Sequence, residues 1–227
     1  MIPLNDTEPN RYSRIPTITI VIICVNVLVF LAQILIVDDY DVFFRLYGSI
    51  PNLILTQQGS GALSSVTSMF LHGGLMHLIG NMSALWVFGR RVEDACGSGR
   101  FLLFYLTCGL SSDILSTIIN ARSLGPSIGA CGAVFGLMGA YLLLFPNGRI
   151  RALVPLSFVP IFPKIRAYWI VFYYLALQII PAINVAINQT DYQVGYWAHL
   201  GGFFGAIFIF LFLRPQAFAR YRSDTLV

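Results

Sequence analysis

The sequence predicts an all-α fold, a polytopic membrane bundle of six helices with both termini in the cytoplasm. Three observations carry that expectation. First, the 227 residues are 57% hydrophobic and only 11% charged, with a mean hydropathy of +0.75. Soluble domains hold about 25% charged residues, so this much apolar side chain exceeds what a water-soluble core can hide. Second, the apolar residues gather into six runs, each long enough, or nearly so, to cross a hydrocarbon core of about 30 Å at about 1.5 Å per residue. Third, the basic residues are divided unequally between the connecting segments.

The first run, Pro16–Val37, follows Arg11 and Arg14. It is too long for a signal-peptide core and lacks a small-x-small cleavage site, so it reads as a retained anchor. The other runs are Leu75–Gly89, Phe101–Ile119, Ala130–Phe145, Ala167–Ile187 and Gly195–Leu213. With the N-terminus inside, the inner segments hold Arg11, Arg14, Arg90, Arg91, Arg100, Arg149, Arg151, Lys164, Arg166, Arg214, Arg220 and Arg222. Only Arg45 and Arg122 fall outside. That bias fixes the expected orientation. The organisation expected is a cytoplasmic tail over 1–15, a membrane domain over 16–213 and a second cytoplasmic tail over 214–227. The outer loop from Asp38 to Gly74 is moderately apolar (Ile50, Leu53, Ile54, Leu55, Phe70, Leu71) and is expected to lie partly in the membrane interface.

Charge and cysteine content exclude other classes. The net charge of +4 invites a nucleic-acid reading, but the basic residues sit beside apolar runs and form no separate basic face. Cys24, Cys96, Cys108 and Cys131 show no CxxC or other metal spacing, and three lie within or beside apolar runs. A disulfide framework is not expected.

Depth arithmetic singles out a site. Cys131 to Phe145 is about 22 Å of helix, which puts Cys131 some 8 Å below the outer edge if Pro146 marks the inner end. His199 lies 15 residues before Arg214, and His77 lies 13 before Arg90, so both reach a similar level. Asn81 is one turn deeper on the face of His77. Before Cys131, the Gly-, Ser- and Pro-rich segment Ser123–Gly129 is expected to dip inward as a non-helical loop, which needs protein or a cavity to satisfy its backbone. Gly132 with Gly136, and Gly201 with Gly205, are expected to let the fourth and sixth spans approach closely. Phe135, one turn below Cys131, can then pack on the imidazole.

These residue types suggest nucleophilic chemistry. A thiolate is the attacking form of cysteine. A helix N-terminus favours an anion, and a neighbouring histidine can take the proton. No carboxylate stands near His199 in the sequence, so a dyad of Cys131 and His199 is expected. His77, Asn81 and the backbone N–H of Cys131 are the expected donors to an oxyanion. Zinc is a rival, but two histidines and one cysteine fit a closed site poorly; no metal or cofactor is expected. Asp113, an acid within the third span, is expected to make a structural hydrogen bond.

Taken together these residues resemble the rhomboid intramembrane protease family, over essentially the whole six-span core. The stretch from Thr67 to His77, followed by Asn81, resembles the family's His-x4-His-x3-Asn segment. Arg91-Val92-Glu93-Asp94, then Gly97 and Arg100, resembles the turn after it. Ser127 to Gly136 resembles the Gly-x-Ser-Gly nucleophile site, and Tyr196 to Phe203 the sixth-span histidine site. The resemblance implies a dyad in a water-filled cavity opening outward, with Gly129, Gly132 and Phe135 supporting it. It implies single-span membrane proteins as substrates, cut in or near the membrane at small residues. It also implies that the fifth span and the loop Asn188–Gln193 form a gate and cap. The partners implied are those substrates and the lipid bilayer, with no nucleic acid; the compact chain suggests a prokaryotic plasma membrane.

Two departures accompany the resemblance. The family nucleophile is serine, and this chain carries Cys131. The Trp-Arg pair often found in the first loop is absent, with Leu63-Ser64 near its place. Cys131 admits an engineered substitution, a natural thiol variant, or a chain with residual or no activity. The reading favoured is a protease scaffold with weakened or thiol-based activity. Its competitors are an inactive relative that binds membrane clients and a transporter built on Asp113 and the histidines. The transporter would carry inverted repeats or broken helices in matching halves, and neither is visible.

Overall fold

In the computed structural model, residues 1–7, 10–12, 15–58, 61–156, 159–188 and 195–222 are described. Strand β1 (Ile2–Asp6) precedes helix α1 (Thr17–Ile36). The outer loop folds into three short helices, α2 (Tyr40–Tyr47), α3 (Pro51–Leu55) and α4 (Ala62–Thr67). The second span is α5 (Leu75–Ala84), a π-turn over Leu85–Gly89, and α6 (Arg90–Cys96). Then come α7 (Ser98–Ile119), α8 (Cys131–Leu144), strands β2 (Arg149–Leu156), β3 (Val159–Ile161) and β4 (Lys164–Arg166), α9 (Ala167–Asn188) and α10 (Tyr196–Arg222). Among the described residues, α1, α7 and α9 are each long and apolar enough to cross a membrane, and α8 and the Tyr196–Phe210 part of α10 are shorter apolar helices. Residues 189–194, which hold most of the expected cap, lie outside the described residues.

The helical bundle matches the expected class, and a small sheet is added to it. Strand β2 pairs antiparallel with β1, β3 and β4. Alternating apolar and basic residues explain it: Ile150 and Ala152 are buried while Arg149 and Arg151 point out. Strand β1 is therefore docked. The Tyr174 hydroxyl donates to the Met1 carbonyl at 2.6 Å, and Ser83 Oγ donates to that of Pro3.

Beside the sheet lies a buried charged cluster. Asp6 meets Arg91 at 3.0 Å and accepts from the Tyr141 hydroxyl at 2.7 Å; the guanidinium of Arg91 also lies 4.5 Å from the centre of the Phe145 ring. Glu93 caps α1 from another element. Its carboxylate accepts from the backbone N–H of Ile18 (2.9 Å) and Thr19 (2.8 Å), donors that a helix start leaves without a partner. Thr19 and Ser98 hydroxyls donate to the same carboxylate, and Asp94 accepts from the N–H groups of Arg11 and Tyr12.

The packing of α7, α8 and α10 bears out the close approach of the fourth and sixth spans and corrects which glycine of α10 makes it. Gly132 and Gly136 lie against both neighbours: Ser112 of α7 fills the place of a Gly132 side chain, Cys108 Cβ of α7 lies 2.6 Å from where a Gly136 Cβ would stand, and the Gly202 carbonyl of α10 lies 3.2 Å from the same point. Gly201 and Gly205 also face α7, at Leu115 and Ser111. The close approach of α8 to α10 is made by Gly202, whose missing side chain leaves room for the Gly132 carbonyl. Small residues spaced by four open a face without naming its partner, and here α7 lies against both helices.

The outer loop exposes Val42, Leu46, Tyr47, Leu55 and Leu63. Its start is fixed by Asp39, which accepts from the N–H groups of Asp41 and Val42. Its inner side is tied to α7, because Ser49 and Ser65 both donate to the Asp113 carboxylate. Asp113 thus makes structural hydrogen bonds, as expected.

A candidate active site at the start of α8

Cys131 opens α8, with Ala130 as the residue before it and no side-chain cap. The first N–H groups of the helix have no intrahelical partner. Those of Cys131 and Gly132 face the Cys131 sulfur. The approach to the helix is the non-helical segment expected. Ser127 exchanges both backbone hydrogen bonds with Ser49, and the Gly129 N–H donates to the Ser68 carbonyl at 2.8 Å. Gly129 has φ +118°, a conformation that favours glycine, and a Cβ there would lie 2.7 Å from His77 Cε1. The turn thus lets the chain pass against the His77 ring immediately before Cys131.

A recess opens beside the sulfur, lined by Ser65, Ser68, Asp113, Ser127, Cys131 and Ala198 among others. Its free space of about 20 Å³ compares with the ~10–15 Å³ that one water requires on the same measure.

His199 follows Ala198 in the first turn of α10. Its ring stacks on Phe135 with centroids 4.7 Å apart and planes 7° from parallel. Phe135 is one turn below Cys131, so stacking holds the imidazole against α8 near the thiol. His199 Nδ1 lies 2.6 Å from the Gln178 Oε1 of α9. Thus α8, α9 and α10 jointly fix one ring.

His77 and Asn81 share a face of α5, and His72 precedes that helix. The rings of His72 and His77 meet edge to face at 5.1 Å. Asn81 Nδ2 lies 3.1 Å from His72 Nε2, which commits one amide hydrogen of Asn81 to that ring. Gln33 of α1 holds the His72 backbone at both ends, donating to its carbonyl at 3.0 Å and accepting from its N–H at 3.2 Å. His72 is almost completely buried. Burial, with His77 adjacent, pushes its pKa down to about 4, so the ring stays neutral.

The structure therefore gathers Cys131, Gly129 and His77 at the first turn of α8 and stacks His199 on Phe135, one turn along the same helix. Sequence reasoning assigned no role to His72, Gln33 or Gln178. Their signal was available: Gln33 and Gln178 are uncharged polar residues inside apolar runs, where an unpaired amide is costly.

Residues 60–216 match the family model for the Rhomboid domain. The chain is 37% identical over 154 residues to RHOMBOID-like protein 1 of Arabidopsis thaliana, a match covering 66% of this chain and 34% of that protein. It is 33% identical over 144 residues to Rhomboid protein 1, mitochondrial, of Saccharomyces cerevisiae, covering 62% and 38%. It is 32% identical over 143 residues to Rhomboid protease GluP of Bacillus subtilis, covering 63% and 24%. The matches span between about a quarter and two fifths of these relatives' lengths. Relatives named as mitochondrial stand beside a bacterial one, so membership alone does not select one membrane. With its apolar helices and a family match across most of its length, the chain is an integral membrane protein that belongs to the rhomboid family.

Proposed function

We propose that the chain is an intramembrane endopeptidase acting on single-span membrane proteins, with Cys131 as nucleophile and His199 as base. The observation that carries this reading is the His199 ring stacked on Phe135, one turn from a cysteine that begins a helix beside a water-sized recess. The sulfur attacks the scissile carbonyl as its proton passes to His199. The carbonyl oxygen becomes an oxyanion, met by the backbone N–H of Cys131 and by His77 and Asn81. His199 then gives its proton to the departing amine, leaving a thioester on Cys131. Water, deprotonated by His199, hydrolyses that thioester and restores the thiol.

The presence of a named protease among the relatives supports the class of reaction. Gly129 supports the reading by admitting His77, Gly132 by admitting Ser112, and Phe135 by orienting the ring. Client binding alone gives no role to a histidine stacked on Phe135, one turn from a cysteine at a helix start.

Thiol alkylation by iodoacetamide, followed by mass spectrometry, tests the dyad without a substrate. Cys131 is expected to react faster than Cys108, and His199→Ala is expected to slow Cys131 alone. Equal rates in parent and His199→Ala would remove the dyad.

A further inference from the structure

Among the described residues, the buried face of α9 is apolar except at one position. Val171, Leu175 and Ala182 are buried on it, and Gln178 sits among them at 9% exposure. An amide placed there without a partner would be costly. Its oxygen is 2.6 Å from His199 Nδ1. We propose that Gln178 is a positioning residue for His199, taking the part that a carboxylate plays in a catalytic triad. This rests on the reading of Cys131 and His199 as a dyad.

The chemistry follows from the imidazole. With Oε1 against it, Nδ1 holds the ring proton and donates it to the amide. Nε2 then keeps its lone pair and serves as the base. Phe135 fixes the plane of the ring, and Gln178 fixes its rotation and tautomer within that plane. Neither constraint replaces the other, because stacking alone permits a ring flip about Cβ–Cγ that swaps Nδ1 with Cδ2 and Nε2 with Cε1. A neutral amide also differs from a carboxylate in adding no charge beside the base. The device therefore orients His199 without placing an anion in an apolar bundle.

Two substitutions separate positioning from packing. Gln178→Met keeps the length and the apolar contacts but offers no strong acceptor. Gln178→Glu keeps an acceptor oxygen whether or not it is ionised. The readouts are the iodoacetamide rate at Cys131, with Cys24 of the same molecules as reference, and the thermal midpoint. The expected result is a Cys131 rate about tenfold lower in Gln178→Met, the scale of one lost hydrogen bond. The rate in Gln178→Glu is expected within about threefold of the parent, by the same comparison. Cys24 labelling and the midpoint are expected to be unchanged in both. Parent-like labelling in Gln178→Met, with His199→Ala slow, would overturn the positioning role and leave the dyad intact. Equal slowing in Met and Glu variants, together with a lowered midpoint, would make Gln178 a packing residue and overturn it as well. Parent-like labelling in His199→Ala would instead remove the dyad, and the positioning role with it.

Discussion

The two ends of the bundle solve opposite problems with buried polar groups. At the end carrying the sheet, Asp6, Arg91, Glu93 and Asp94 are all nearly inaccessible, and opposite charges or backbone N–H donors meet them. At the other end the polar groups around Cys131 are imidazoles and amides: His72, Asn81, His199 and Gln178. They meet through single hydrogen bonds and ring contacts beside a recess with room for water. Full ionic pairing fixes one geometry and leaves nothing free to react. Neutral groups held by one contact each keep lone pairs and N–H groups for a substrate. Under the proposed function the difference separates scaffold from machinery: substitutions at the sheet end should cost stability, and those at the recess should cost reactivity.

The largest effect should come from Arg91→Ala. It strands Asp6 without its ion pair, and breaking a buried pair in this way costs about 3–5 kcal/mol. Denaturant unfolding in detergent should show that loss, while the surviving folded fraction labels Cys131 at the parent rate. A slow Cys131 in that folded fraction would show that the two ends are coupled. Next is Gly202→Val, where the added side chain meets the Gly132 carbonyl directly. Overpacking of this kind costs about 1–3 kcal/mol. Because Gly132 follows Cys131, this variant should lower both the thermal midpoint and Cys131 labelling, which no sheet-end variant should do.

Phe135→Leu sharpens the contrast. It removes a ring stack worth about 0.5–1.5 kcal/mol, so the midpoint should move little. Alkylation of Cys131 should nevertheless fall several-fold, because the imidazole loses the surface that fixes its plane. A parent-like rate would shift the weight of orientation onto Gln178. The smallest effect at neutral pH belongs to His72. Its pKa is about 4 when folded and about 6.5 when unfolded, so the unfolded chain binds more protons between those values. Stability should therefore fall as the pH drops from about 6.5 to 4. His72→Gln should flatten that part of the curve in pH-dependent unfolding.

The sequence made the helical core legible because each span is an apolar run with basic flanks, and that pattern needs no knowledge of contacts. Cys131, His77, Asn81 and His199 were legible for a related reason. Helix rise converts residue number into depth, so groups at equal distance from basic flanks share a level. What depth leaves open is rotation about each helix axis. That is why Gly201 and Gly205 were assigned to the wrong neighbour, and why Gln178 and His72 went without a role. The sheet was hidden differently. Its strands are short, one stands at the N-terminus, and the pairing of Asp6 with Ile150 spans most of the chain. Local pattern carries no trace of such a distant partner.

Cleavage of a single-span reporter protein in proteoliposomes tests the central claim most directly, comparing the chain as it stands with Cys131→Ser and Cys131→Ala. The account predicts cleavage by the serine form, cleavage at an equal or lower rate with Cys131 in place, and none by the alanine form. Cleavage by Cys131→Ala, or an intact reporter in all three across several substrates, would contradict it and make client binding the leading reading.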